Sequence, residues 1–188
     1  MKNAIIVHGR PEKEEYYSDQ YPSASNFHWI PWLQKQLMIR DIKADTPEIP
    51  MAFAPEWNTW RTEFERFDVN EESVLVGHSN GAGFLVRWLS ENKNVKIDKL
   101  VLVAPSFNRN EFVHENFFDF EIDPKLKERM NQITILNGLK DCDSVQKSVK
   151  RVIDEIDSVE LIEFPDNEHF TADDIGVEFI ELLNVILK

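Results

Sequence analysis

Short aliphatic runs alternate with stretches of helical period along the chain. "NAIIV" (3–7), "SVLVG" (73–77), "KLVLVA" (99–104), "ITILNG" (133–138) and "VELIEF" (159–164) are short runs rich in aliphatic and β-branched residues. Runs of that kind read as strands buried on both faces. "DIKADTP" (41–47) is a weaker strand, ended by Pro47. Between the runs, apolar residues recur every three or four positions. Ile30, Leu33 and Leu37 share one helical face, and Trp57, Trp60, Phe64 and Phe67 share a second. Phe84, Leu85, Trp88 and Leu89 form a third, Val145, Val149, Val152 and Ile156 a fourth, and Ile175, Phe179, Leu182 and Ile186 a last. Strand and helix in alternation imply an α/β chain with a mostly parallel sheet, and right-handed crossovers place helices on both faces, a three-layer α/β/α arrangement. The length of 188 residues suits a single domain, 1–188, with no linker or repeat.

Two long connections interrupt the pattern. Residues 10–26 follow the first strand, and residues 105–131 follow the fourth. Both leave carboxyl ends of strands, where open α/β sheets bind ligands. Residues 105–131 are expected to form a short cap or specificity loop.

The third run stops at Gly77-His78-Ser79-Asn80-Gly81, a G-x-S-x-G motif with a strand before it and a helix after it. In a nucleophile elbow the serine occupies a strained turn, and small residues flank it so that strand and helix can meet closely. Gly83 extends that close approach. Asn80 opens the helix, so its N–H faces the space before the hydroxyl, with the helix dipole behind it. A hydroxyl needs a base. His169 lies in "PDNEHF", after the last strand, where it can reach Ser79; His114 is the other downstream histidine and its position inside the long loop is less determined. The orienting acid should follow "ITILNG", which offers Asp141 and Asp143. Asp141 stands at a G-x-x-D spacing from Gly138 and is preferred, because Asp143 has an alternative role as N-cap of the next helix. The second donor of an oxyanion hole should come from "VHGR", with the N–H of Arg10 beside that of Asn80. His8 and His78 are expected to serve packing and hydrogen bonding nearby.

The charge removes several alternatives. The formal net charge of −13 disfavours nucleic acid and anionic membrane surfaces. Cys142 is the only cysteine, so no intrachain disulfide forms. No run is long and apolar enough for a membrane helix, and the start is too weakly apolar for a signal peptide, so a cytoplasmic location is expected. The five histidines show no metal-binding spacing, and "GHSNGAG" matches neither a dinucleotide nor a P-loop fingerprint. No metal or cofactor is expected.

"IIVHG", "NFHWIPWLQKQL", "PEIP…PEWNTW", "VLVGHSNGAG", "LVLVAP", "ITILNGLKD" and "FPDNEHF" together resemble the small serine hydrolases of the α/β-hydrolase superfamily, relatives of the retinoblastoma-binding serine hydrolase. The W-x-x-W-L segment (29–33) and the P-x-x-W segment are the more specific marks. The resemblance implies the α/β-hydrolase fold, with six parallel strands ordered 2-1-3-4-5-6, and a triad falling on Ser79, Asp141 and His169. No L-x-C-x-E segment occurs, so binding to a retinoblastoma-type protein gains no support, and a protein partner stays unassigned.

The reading that follows is a hydrolase of small carboxylic esters acting through an acyl-enzyme, with a small acyl compound as its partner. An amidase or aminopeptidase on the same triad, and a protein-binding regulatory member with vestigial catalysis, are the alternatives. Tyr16, Tyr17, Phe107, Phe112, Phe117 and Phe118 are the expected pocket aromatics, although the same residues would equally serve to pack the loops onto the body.

Overall fold

The computed structural model describes residues 2–107, 113, 114 and 116–188. Six strands form one sheet: β1 (Asn3–Val7), β2 (Lys43–Asp45), β3 (Ser73–His78), β4 (Ile97–Val103), β5 (Met130–Gly138) and β6 (Glu160–Phe164). Their order is β2-β1-β3-β4-β5-β6, and every pairing is parallel. All residues of β1 and β3 are buried, as their unbroken apolar runs require once helices cover both faces. The edge strands differ. β2 has only three residues, and β6 exposes Glu160 and Glu163, short length and charge that keep a sheet edge from pairing with another chain.

Helices α1 (Lys13–Tyr17), α2 (Ile30–Met38), α3 (Trp57–Phe64), α4 (Asn80–Glu91), α5 (Asp143–Glu155), α6 (Ala172–Ile175) and α7 (Ile180–Leu187) fill the connections. In α2, Ile30, Leu33 and Leu37 are the buried face, and in α5 Val145, Val149 and Val152 are. Glu56 caps α3 by accepting the N–H groups of Asn58 and Thr59 at 2.9 and 2.7 Å. Trp57, Trp60 and Phe64 of α3 then meet Phe84 of α4, with ring centroids 5.3, 5.6 and 5.4 Å apart.

Three elements depart from the sequence pattern. The last helix is two, α6 and α7, because the chain breaks at Gly176, where φ is 77°. Ile175 and Phe179 therefore lie on different pieces. Phe67 falls beyond the end of α3 and is half-buried. The connection 10–26 is not featureless: it holds α1 and a 3-10 turn, Ala24–Asn26. α1 starts with a reciprocal capping box, in which the Glu15 carboxylate accepts the Glu12 N–H at 3.0 Å.

The strand register brings the functional carboxyl ends level. Val7 pairs with Gly77, His78 with Val103, Val103 with Leu136, and Gly138 with Phe164. Everything that follows β1, β3, β5 and β6 emerges at one edge of the sheet.

Removing the central ring of the α3–α4 contact tests this packing. Phe84→Ala deletes a fully buried side chain and is expected to cost about 3–5 kcal/mol in urea unfolding. The thermal midpoint should fall by roughly 10 °C.

Candidate active site

Ser79 sits between β3 and α4 with φ 54° and ψ −121°, a left-handed conformation costly for any residue with a side chain. Its own backbone holds it there. The Ser79 N–H donates to the Val103 carbonyl at 2.9 Å, and its carbonyl accepts from Ala82, Gly83 and Ser106 at 3.1, 3.2 and 3.1 Å. The flanking glycines answer a spatial need. A Cβ on Gly77 would lie 2.5 Å from Ala82 Cα, and one on Gly81 would lie 2.3 Å from the His8 carbonyl oxygen.

The three side chains singled out from the sequence meet here. The Ser79 hydroxyl donates to His169 Nε2 at 2.8 Å, and His169 Nδ1 donates to Asp141 Oδ2 at 2.6 Å. Asp141 is the acid in contact. Asp143 is the first residue of α5, and Cys142 occupies the N-cap position, so the expected cap role for Asp143 is displaced by one residue. The other Asp141 oxygen accepts the Cys142 N–H at 2.7 Å, which fixes the carboxylate. His114 lies elsewhere, its N–H donating to the Pro55 carbonyl at 3.3 Å.

The loops carrying Asp141 and His169 are laid against each other. A Cβ on Gly138 would come within 2.0 Å of the Glu168 carbonyl oxygen, and Lys140 N–H donates to the Asn167 carbonyl at 3.0 Å. Side chains from other elements grip the base loop. His78 Nε2 donates to the His169 carbonyl at 2.8 Å, and Trp29 Nε1 to the Phe170 carbonyl at 3.0 Å. His28 Nδ1 accepts the Ala172 N–H at 3.0 Å. Asp174 accepts the N–H groups of Glu168 and Phe170. Trp29 belongs to the W-x-x-W-L segment, yet its part in the site, like those of His28 and Asp174, was not visible from spacing.

A cavity of about 540 Å³ opens over Ser79 and His169, a size that fits a small organic ligand. Its walls come mainly from the segment after β1: Arg10, Glu12, Glu15, Tyr16, Tyr21 and Phe27, with Glu48 opposite. Tyr16 therefore lines the cavity as expected; its hydroxyl accepts the Met51 N–H at 3.0 Å. Tyr17 does not, being 63% exposed on the outer side of α1. Phe117 and Phe118 are corrections of a different kind. Both are fully buried, with Phe117 against Trp60 at 5.3 Å, because the described part of the connection after β4 folds down onto α3 and α4. Arg87 secures it there, donating to the carbonyls of Asn116 and Phe117 while its guanidinium lies 3.8 Å over the Trp57 ring. Phe107 packs against Phe118 and Phe120 rather than lining the cavity. Phe112 lies outside the described residues. Arg10 and Gly9 line the cavity beside Ser79. Asn80 is the first residue of α4, where an N–H has no carbonyl within its own helix to bond.

His8, His28 and His78 also line this cavity. Burial holds all three below the ordinary imidazole value of 6.5, His78 well below it, with nearby His169 adding to the effect at His28 and His78. Neutral rings fit their bonds: His8 Nδ1 donates to the Gly9 carbonyl at 2.7 Å, and its Nε2 accepts the Ile49 N–H at 3.1 Å. Among the described residues, no group of three histidine, cysteine or carboxylate side chains is placed to hold a metal. No described helix is long and apolar enough to cross a membrane.

Residues 19–178 match the serine hydrolase family, and the chain belongs to it. The chain is 30% identical over 79 residues to YdeN of Bacillus subtilis, a protein named as a hydrolase; the match covers 41% of this chain and 42% of YdeN. In structure, the ydeN gene product covers 100% of this chain and 97% of its own, with a TM-score of 0.81 and 21% identity. Est1E of Butyrivibrio proteoclasticus covers 98% of this chain and 85% of its own, with a TM-score of 0.63 and 12% identity. The fold is thus that of the α/β hydrolases.

The lowered histidine values set a pH dependence for stability. Unfolding returns each ring to the ordinary value of 6.5, so below that pH the unfolded chain binds more protons than the folded one. Stability is expected to be intact above 6.5 and to fall as pH drops below it. Urea midpoints measured from pH 7.5 to 5 should decline, and His78→Gln should flatten the decline.

Proposed function

We propose that the protein hydrolyses small carboxylic esters through an acyl-enzyme formed on Ser79. The observation that carries the reading is the unbroken chain of hydrogen bonds from the Ser79 hydroxyl through His169 to Asp141, at 2.8 and 2.6 Å. Ser79 Oγ attacks the ester carbonyl carbon while His169 Nε2 takes its proton. Asp141 holds the imidazole with Nε2 unprotonated toward serine and stabilises the imidazolium that forms. The carbonyl oxygen, now an oxyanion, accepts the N–H groups of Asn80 and Arg10. Each such donor is worth about 3 kcal/mol in the transition state. The intermediate collapses, the alcohol leaves with the proton from His169, and water repeats the sequence to release the acid.

The cavity supports a small, uncharged acyl group. Tyr16, Tyr21, Phe27 and Ile30 supply apolar wall. Among the described residues its charged lining consists of Glu12, Glu15 and Glu48 against Arg10, and Arg10 is already paired with Glu12 at 2.5 Å. Among the described residues of the lining, an anionic substrate would meet carboxylates without a free cation.

Two measurements test the reading. Wild-type protein is expected to react with a fluorophosphonate and to turn over short nitrophenyl esters, while Ser79→Ala abolishes labelling and His169→Ala lowers kcat/KM by about 10⁴-fold. Labelling that survives in Ser79→Ala would refute the assignment, and an aminoacyl arylamide in the same panel separates ester from amide cleavage. In the second, matched neutral and hemisuccinate esters are compared. The neutral ester should be preferred by at least about tenfold at low salt, and the preference should shrink with ionic strength. Equal rates would exclude charge selection by the wall.

A further inference from the structure

Asp174 lies on α6, five residues beyond His169, and holds the base loop at three points. Its Oδ2 accepts the Glu168 N–H and the Phe170 N–H, each at 2.9 Å, and its Oδ1 accepts the Asn167 side-chain amide at 3.1 Å. The two backbone donors bracket His169. A single carboxylate oxygen therefore draws the residues before and after the imidazole toward one point. Charged acceptors of this kind make hydrogen bonds roughly twice as strong as neutral ones.

We propose that Asp174 is a positioning residue for His169, fixing the loop so that Nδ1 meets Asp141 and Nε2 meets Ser79. The proposal rests on the catalytic roles given above to those three side chains. The loop needs such a hold. Phe170 has φ 56°, a left-handed conformation that an ordinary loop residue relaxes out of when it can. The remaining side-chain ties of the loop leave these amides alone. His78 and Trp29 take the carbonyls of residues 169 and 170, and His28 takes the N–H of residue 172. Asp174 alone takes the amides on either side of the base. Thr171, the N-cap of α6, makes no side-chain capping bond, so Asp174 is also what ties this short helix back to the loop. The titratable groups facing His169 are Asp141 from the β5–α5 loop, His78 of β3 with ring centroids 5.2 Å away, and His28 before α2.

The test reads the imidazole itself. The His169 ring is titrated by NMR in the unliganded protein, and kcat/KM for a neutral nitrophenyl ester is followed against pH. In Asp174→Ala, kcat is expected to fall about 10–100-fold with KM nearly unchanged, as a misplaced catalytic group requires. Both the His169 titration and the acid limb of kcat/KM should move to lower pH, because the imidazolium loses the Asp141 carboxylate. In an Asp141→Asn background the same substitution should cost several-fold less than in the wild type, because one of the two contacts it secures is already gone. An unmoved titration, or a full and additive loss in the Asp141→Asn background, would overturn the proposal. Should Asp174→Ala fail to fold, Asn167→Ala removes one of the three bonds and should move the titration the same way by a smaller amount; no movement there overturns it equally. Asp166→Asn, at a side chain 92% exposed, should change nothing. Absence of any Ser79-dependent turnover in the wild type would refute the hydrolytic reading, while the NMR titration would still judge whether Asp174 seats His169 on Asp141.

Discussion

The left-handed turn at Ser79 is the constraint on which the site depends. Such a conformation costs about 1–3 kcal/mol and persists only where its surroundings over-determine it. Here four backbone hydrogen bonds converge on one residue, and small side chains on both flanks let β3 and α4 approach to contact. The turn lifts the hydroxyl out of the sheet edge and points the start of α4 at the same space. The other partners are then delivered by register, since β1, β5 and β6 end at the same edge. The serine is fixed by its strand and helix. The histidine hangs from a loop and must be brought to it.

How much of this was legible in the sequence depended on whether the signal was unique. Five of the six strands announced themselves because continuous β-branched runs have few other uses in a chain of this kind. The short edge strand β2 was weak because it buries little. The last helix was misjudged because Ile175, Phe179, Leu182 and Ile186 keep helical spacing across Gly176, and spacing alone does not register a residue at φ 77°. Ser79, His169 and Asp141 could be picked out together because their order and their places after particular strands are restrictive. The cavity wall was not. Aromatic residues serve cores and pockets alike, and the phenylalanines of 117 and 118 went to the core while Tyr21 and Phe27 went to the cavity. Asp174 was hidden for a different reason: two of its three partners are backbone amides, which every residue has.

Four of the five histidines line one cavity, and their neighbours give each a different task. His8 bridges a carbonyl and an amide. His28 accepts one amide. His78 braces the carbonyl of the very residue that carries the working imidazole. Burial holds the first three below the ordinary imidazole value and so favours their neutral forms, which keeps fixed like charge away from His169. The same neutrality makes acid conditions costly for the folded state.

The wall of the cavity has a looser tie to the body than its floor. α1 contributes no buried residue, whereas the elbow and the strands beneath it are almost wholly enclosed. Segments with little enclosed apolar surface contribute little to global stability and accept change readily. Recognition and reactivity are thereby carried by separable parts of the polypeptide. Replacing side chains within residues 11–27 is therefore expected to alter what the cavity admits while leaving Ser79, Asp141 and His169 in place.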